Sequence, residues 1–146
     1  MIYKIAVLDD DELWCQVVQR FFRNTFEVFI LSNATFLLEE IEKEPKRYDL
    51  IIVDLSLPPH QYKEIDGRKL IQHLRKVLSS PPLLVLVTAF IGKNELDAGE
   101  IVCEEADAFL AKDAGLDAIS QRLQQLLNYQ QDTIAERMKF NQRVRW

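Results

Sequence analysis

Acidic side chains follow two of the apolar runs in this chain. Asp9 and Asp10 come directly after Leu8, and Asp54 ends the unbroken run LIIVD that begins at Leu50. An ionised carboxylate at the edge of a core costs several kcal/mol unless something pairs with it. If the three acids meet, a hard divalent cation such as Mg²⁺ would offset their mutual repulsion. The pattern predicts a magnesium site in which Asp54 can attack a phosphoryl group as a nucleophile.

A hydroxyl and an ammonium group stand at corresponding places further along the chain. Thr88 ends the apolar run LLVLVT, and Lys112 follows the run AFLA. Phosphoryl transfer requires alignment and charge neutralisation, which Mg²⁺, Lys112 and the Thr88 hydroxyl can supply. Each residue alone is common at the end of a strand, so the prediction rests on their joint occurrence.

The elements that must position these residues alternate between strand and helix. Apolar runs predict strands at Tyr3–Leu8, Glu27–Leu31, Leu50–Asp54, Leu83–Thr88 and Ala108–Leu110. Helical spacing predicts helices behind the acids at 10–12, after Ser32 or Asn33, near Gly67–Leu78 with Val77 inward, across Asn94–Glu105 and after Gly115. This alternation predicts right-handed crossovers and a doubly wound parallel sheet. Ligands bind such sheets beyond the carboxyl ends of the strands, where the predicted site residues lie.

The composition limits the classes of protein to consider. A 146-residue chain with 48% hydrophobic residues is expected to fold as one domain. No apolar stretch approaches the ~20 residues of a membrane span, and the first residues, MIYKIAVLDD, lack the features of a signal peptide, so we expect a cytoplasmic protein without a membrane partner. Cys15 and Cys103 lack metal or redox spacing and are predicted to be buried thiols. The net charge of -5 argues against nonspecific nucleic-acid binding.

The constellation resembles the receiver domain of two-component response regulators, over about residues 1–127. The segments VLDDDE, VDLSLP, DG at 66–67, VTA and ADAFLAK carry the likeness. It implies a flavodoxin-like (βα)5 domain that binds Mg²⁺ and is phosphorylated on Asp54. The roles it implies are Mg²⁺ ligation by Asp9, Asp10, Asp54 and the backbone carbonyl of Ser56, switching by Thr88 and Phe109, and phosphate pairing by Lys112.

The resemblance also implies a function. The chain would accept a phosphoryl group from a histidine kinase or histidine phosphotransfer protein, and its only reactions would be its own phosphorylation and dephosphorylation. One alternative is a pseudo-receiver that binds proteins without phosphorylation. Another is a phosphatase or mutase that uses Asp54, although Ser56 stands where that class usually has a second acid. The long loop PPHQYKEID, the Asp113 that replaces a usual proline and Gly99 in the fourth helix depart from the family pattern.

The C-terminal segment exceeds what a receiver needs. Residues 1–127 are predicted to form the receiver domain, and residues 128–146 to extend its last helix. Within that helix, Leu116, Ile119, Leu123, Leu126 and Leu127 are predicted to dock on the sheet, whereas Ile134 and Met138 are left over. The extension is expected either to link to an output domain or to pair with a second copy as a homodimer. Its few basic residues are too weak a signal for nucleic-acid recognition, so we expect no direct nucleic-acid binding.

Overall fold

The computed structural model describes residues 2–31, 33–55, 67–78, 82–89 and 104–144, with side chains to residue 130 in the last range. Its strands are β1 (Lys4–Leu8), β2 (Glu27–Leu31), β3 (Leu50–Asp54), β4 (Leu83–Thr88) and β5 (Ala108–Ala111). Its helices are α1 (Glu12–Phe22), α2 (Ala34–Lys43), α3 (Gly67–Val77) and α4 (Leu116–Val144), and a 3-10 turn spans Lys112–Ala114. All strand pairs are parallel, in the order β2-β1-β3-β4-β5.

This architecture confirms the predicted fold class. The strands match the predicted runs except that β1 begins at Lys4 and β5 extends to Ala111. Residues 94–103 of the helix predicted across Asn94–Glu105 lie outside the described residues, whereas Glu104 and Glu105 form a turn. One packing prediction is wrong: Val77, expected to face the core, is exposed at the last turn of α3.

Two hydrophobic cores lie on opposite faces of the sheet, because successive strand residues point to opposite sides. Ile5 and Val7 of β1 pack with residues of α1 and α4, whereas Ala6 and Leu8 pack with residues of α2 and α3. Every residue of β3 and β4 is buried, as expected for strands covered on both faces. In the part of the chain that the structure describes, no helix combines the length and apolarity needed to cross a bilayer.

The strand order reverses between β1 and β3. From β1 the chain first continues to β2 on one side and then crosses back to β3 on the other. In open parallel sheets such a reversal leaves a crevice beyond the carboxyl ends of the two strands. Leu8 at the end of β1 is the Cα partner of Val53 in β3, so the residues that follow them meet at this crevice.

Candidate functional site

Three acidic side chains converge at the crevice. Asp9 follows β1, Asp54 ends the neighbouring β3, and their side chains are buried, with 5% and 1% exposure of the residues. Asp10 is exposed at the mouth of the site. One carboxylate oxygen from each of the three residues lies within 4.8 Å of the others. The structure therefore brings together the three acids that the sequence pattern proposed as metal ligands.

The carboxylate of Asp9 is held from two sides. Its Oδ1 accepts a hydrogen bond from the backbone N–H of Asp11 at 2.8 Å, and its Oδ2 lies 2.9 Å from Nζ of Lys112. Burial raises the pKa of Asp9, as does the charge of Asp54, while the Lys112 ammonium and the Asp11 N–H oppose this increase. The ionised form of Asp9 is thus costly in this position and depends on nearby positive charge.

The donor atoms at the crevice suit a hard divalent cation. All are carboxylate oxygens. Asp9 Oδ2 is buried and accepts no hydrogen bond of good geometry from the described residues. Its contact with Lys112 is an ion pair. Mg²⁺ binds through a few carboxylates and fills its other positions with water or phosphate. The residues that would hold it are Asp9, Asp10 and Asp54. Ser56, the fourth predicted ligand, lies outside the described residues.

Lys112 follows β5 and turns back toward β1. Its side chain is 12% exposed, and its ammonium contacts Asp9 at 2.9 Å and lies 3.9 Å from Asp11 Oδ2. The same ammonium lies 4.6 Å from the centre of the Trp14 ring. The sequence analysis missed Asp11 and Trp14 as neighbours of Lys112. The only signals were a third acid in VLDDDE, Asp11, and an aromatic residue three positions after it, Trp14.

Thr88 and Phe109, the predicted switch pair, lie on the two strands beyond β3. Thr88 ends β4 in a buried position, and its Cα partner on β5 is Ala111. Phe109 is half-buried and packs against the core beneath α2 and α3. Both therefore lie in the part of the sheet that joins the crevice to the β5 edge, and their switching role stays a prediction.

The start of α3 lies directly against the backbone of Asp54. A Cβ atom at Gly67 would come within 2.0 Å of the carbonyl oxygen of Asp54 and within 2.9 Å of the Cα of Leu55. Real Cβ atoms do not approach backbone this closely, so only glycine fits here. The DG pair noted in the sequence therefore has a physical reason at its second residue.

A cleft of about 460 Å³ adjoins the acids between α1 and β2. Its lining combines acidic, amide and apolar groups: Asp9, Asp10, Glu12, Cys15, Gln16, Gln19, Ile30 and Leu31. Cys15 is buried there, and its thiol donates a weak hydrogen bond to the Asp9 carbonyl at 3.5 Å. Of the three clustered acids, Asp9 and Asp10 therefore border this cleft on the α1 side.

A family model and a curated relative match the sequence of this chain. The family model for the response regulator receiver domain matches residues 5–124. The regulatory protein VanRc of Enterococcus gallinarum is 30% identical over 132 residues, which are 89% of this chain and 52% of that protein. The chain therefore spans about half the length of this curated relative.

Solved structures show the same fold. A CheY-like receiver domain protein from Methanospirillum hungatei matches with a TM-score of 0.68 and 22% identity, covering 91% of this chain and 99% of that one. A chain from the complex of histidine kinase ThkA with response regulator protein TrrA matches with a TM-score of 0.69 and 20% identity, covering 86% and 99%. At these identities the likeness establishes a shared architecture.

Proposed function

The chain belongs to the response regulator receiver domain family of two-component systems, and from this premise we propose that it accepts a phosphoryl group on Asp54 in a Mg²⁺-dependent reaction and signals by a conformational change. The observation that carries the proposal is the cluster of Asp9, Asp10 and Asp54 carboxylates with the Lys112 ammonium at its edge. Few other roles explain three acids gathered at one strand-order reversal beside a nearly buried lysine.

The proposed reaction moves one phosphoryl group between two proteins. A carboxylate oxygen of Asp54 forms a bond to phosphorus while the bond from phosphorus to a phosphohistidine nitrogen breaks. That nitrogen keeps the electron pair and takes up a proton. Water later attacks phosphorus, the bond to Asp54 breaks, and inorganic phosphate and the free carboxylate result. Both reactions alter the chain itself, so it is not proposed to turn over a separate substrate.

Charge balance explains why these residues would be needed together. The phosphoryl group carries about -1.5 to -2 charge at neutral pH, and it would arrive beside two other carboxylates. When bound, Mg²⁺ would supply positive charge and orient the phosphoryl oxygens. Lys112 would add a second positive charge, and the hydroxyl of Thr88, which ends the adjacent strand, would hydrogen-bond the group.

The proposed donor is a histidine kinase or a histidine phosphotransfer protein. One structurally similar chain comes from a complex of a histidine kinase with a response regulator protein, which supports this class of partner. The exposed position of Asp10 and the cleft beside α1 support it too, because they leave open surface next to the acids on which a donor protein can dock.

Intact mass spectrometry tests the proposal. After incubation with acetyl phosphate and Mg²⁺, the chain should gain the mass of one phosphoryl group, and Asp54→Asn should gain none. Asp117→Asn, at an exposed acid in the first turn of α4, is the matched control and should be modified fully. Full modification of Asp54→Asn would refute the assignment. An unmodified wild-type chain would favour the pseudo-receiver, and continuous release of phosphate would favour a phosphatase.

Metal binding is tested separately by calorimetry. Asp10→Asn should weaken Mg²⁺ binding at least several-fold and slow the modification, because it removes an accessible ligand while leaving Asp54 in place. Asp117→Asn should bind Mg²⁺ as the wild type does. Unchanged Mg²⁺ affinity in Asp10→Asn would remove this residue from the proposed ligand set.

A further inference from the structure

The ammonium group of Lys112 is enclosed by one short segment at the start of α1. Asp9 Oδ2, Asp11 Oδ2 and the ring of Trp14 lie 2.9, 3.9 and 4.6 Å from it, the last measured to the ring centre. With only 12% of the side chain exposed, water contributes little to its solvation. Groups of the α1 segment thus replace much of the water around this charge.

Trp14 is itself fixed in this arrangement. Its backbone N–H donates a hydrogen bond of 3.1 Å to Oδ1 of Asp11, which is the N-cap residue of α1. Asp11 in turn donates its own N–H to Asp9. The aromatic ring is therefore tied through the first turn of α1 to the same carboxylate that pairs with Lys112, and a tryptophan face is the most favourable aromatic surface for a cation.

We propose that Trp14 is a positioning residue that holds the Lys112 ammonium at Asp9 while Asp54 is unmodified, and that a phosphoryl group on Asp54 draws the ammonium away from the ring. The inference rests on the proposed function and adds a residue to it. The phosphoryl group brings more negative charge than the single Asp9 carboxylate, so it outcompetes Asp9 for the lysine. The contact with Trp14 is lost in that movement and therefore opposes it.

Substitution of Trp14 should raise the affinity for a phosphoryl mimic, whereas a simple loss of packing would lower it. Trp14→Leu removes the aromatic face, so Lys112 should leave Asp9 more easily. The affinity for beryllofluoride, a tetrahedral mimic of a phosphoryl group, should rise several-fold in the presence of Mg²⁺. Trp14→Phe keeps an aromatic face and should stay close to the wild type. Damage to the site would instead lower the affinity, more so for leucine than for phenylalanine.

Tryptophan fluorescence follows the movement of the lysine directly. The chain has two tryptophans, so Trp146→Phe leaves Trp14 as the single emitter. With Mg²⁺ already present, beryllofluoride should change the Trp14 emission, since the charge over the ring departs. Lys112→Met has no charge to lose, so beryllofluoride at a concentration that saturates this variant should change the emission much less.

Fluorine NMR of bound beryllofluoride separates the possible failures. Binding in the wild type without an emission change would overturn the inference, as would an equal emission change in Lys112→Met. Lowered affinity in Trp14→Leu would also overturn it. If the wild type bound no beryllofluoride at all, the proposed function would fail, and the role of Trp14 would fail with it.

Discussion

Asp9 meets two opposing requirements at the level of single residues. As a proposed metal ligand it would have to be ionised, yet it is buried, and burial raises its pKa. The contact with Lys112 resolves the conflict in the metal-free protein by supplying the positive charge that a cation would otherwise supply. The same lysine is the residue proposed to pair with phosphate, so the resting ion pair and the phosphorylated state compete for one ammonium group.

Cys15 provides a pH-dependent prediction next to Asp9. Burial raises the pKa of this thiol to about 11, and the negative charge of Asp9 adds to the effect. An unfolded cysteine titrates near pH 8.5, so the stabilisation from the neutral buried thiol is complete below that pH and is lost as the pH rises through about 11. Between pH 8 and 11 the wild type should therefore lose on the order of 2 kcal/mol more free energy of unfolding than Cys15→Ala.

Urea denaturation of both proteins across this pH range measures the difference. Other groups, such as tyrosines and lysines, titrate there in both proteins and cancel in the comparison. The cavity left by Cys15→Ala lowers stability by an amount that does not depend on pH. Parallel pH profiles would contradict the prediction.

At the level of elements, the close approach of α3 to β3 fixes the backbone of Asp54. Gly67→Ala would place a Cβ atom against the Asp54 carbonyl, so either α3 or β3 must shift. We expect a loss of roughly 1–3 kcal/mol in the free energy of unfolding, together with slower phosphorylation of Asp54. Denaturant titration and intact mass measure the two effects.

Gly115→Ala is the control for this prediction. Gly115 has φ of 88°, which disfavours other residues, but a Cβ there would meet nothing within 4 Å. This variant should lose stability through local strain without pressing on β3. Wild-type stability of Gly67→Ala would show that the helix start adjusts without cost.

The exposed face of α1 carries an apolar stripe next to the site. Leu13, Val17 and Phe21 lie four residues apart on one side of the helix, and Leu13 is 75% exposed. Contiguous exposed apolar side chains mark surfaces that bind partners. Leu13→Gln should slow phosphotransfer from the proposed histidine kinase donor several-fold but leave phosphorylation by acetyl phosphate unchanged.

Phe36 offers the matched comparison, because it is exposed to a similar degree as Phe21. It lies on α2, whose buried residues pack on the other face of the sheet. Phe36→Gln should leave both reactions unchanged. Radiolabelled phosphotransfer and intact mass give the two rates. Equal slowing of both reactions by Leu13→Gln would indicate damage to the site and contradict a role in docking.

Helices and strands could be predicted wherever the spacing of apolar residues along the sequence indicates them. The strands appear as apolar runs, and once they are parallel their carboxyl ends must meet, which located Asp9, Asp54 and Lys112 in advance. The contact between Lys112 and Trp14 was not predictable, because it depends on how α1 packs against the turn after β5. The exposure of Val77 was missed for a similar reason: a helical period identifies a stripe but not where the sheet beneath it ends.

At the level of the whole molecule, α4 continues well past its last residue known to be buried against the sheet, Leu127. Ile119, Leu123 and Leu127 of α4 are buried against the sheet, as predicted, whereas Leu116 and Leu126 are half-buried. The helix then continues without a break to Val144, roughly 25 Å past Leu127 at 1.5 Å per residue. A boundary after residue 127 stays the predicted division between the receiver and its extension.

Pairing of two copies would give this extension a packing partner. Its sequence keeps apolar residues at Ile134 and Met138, four positions apart as on one side of a helix. Helices in proteins gain most of their stability from the packing of such an apolar face. We therefore expect the full chain to sediment as a dimer at micromolar concentration.

Truncation after Leu127 should leave a folded monomer, since the three buried residues Ile119, Leu123 and Leu127 remain. The circular dichroism of this truncated chain should show cooperative unfolding. As a control that keeps the helix length, Ile134→Gln with Met138→Gln should also sediment as a monomer. Equal sedimentation of the full and truncated chains as monomers would contradict pairing and favour the alternative, in which the extension is a linker to a further domain.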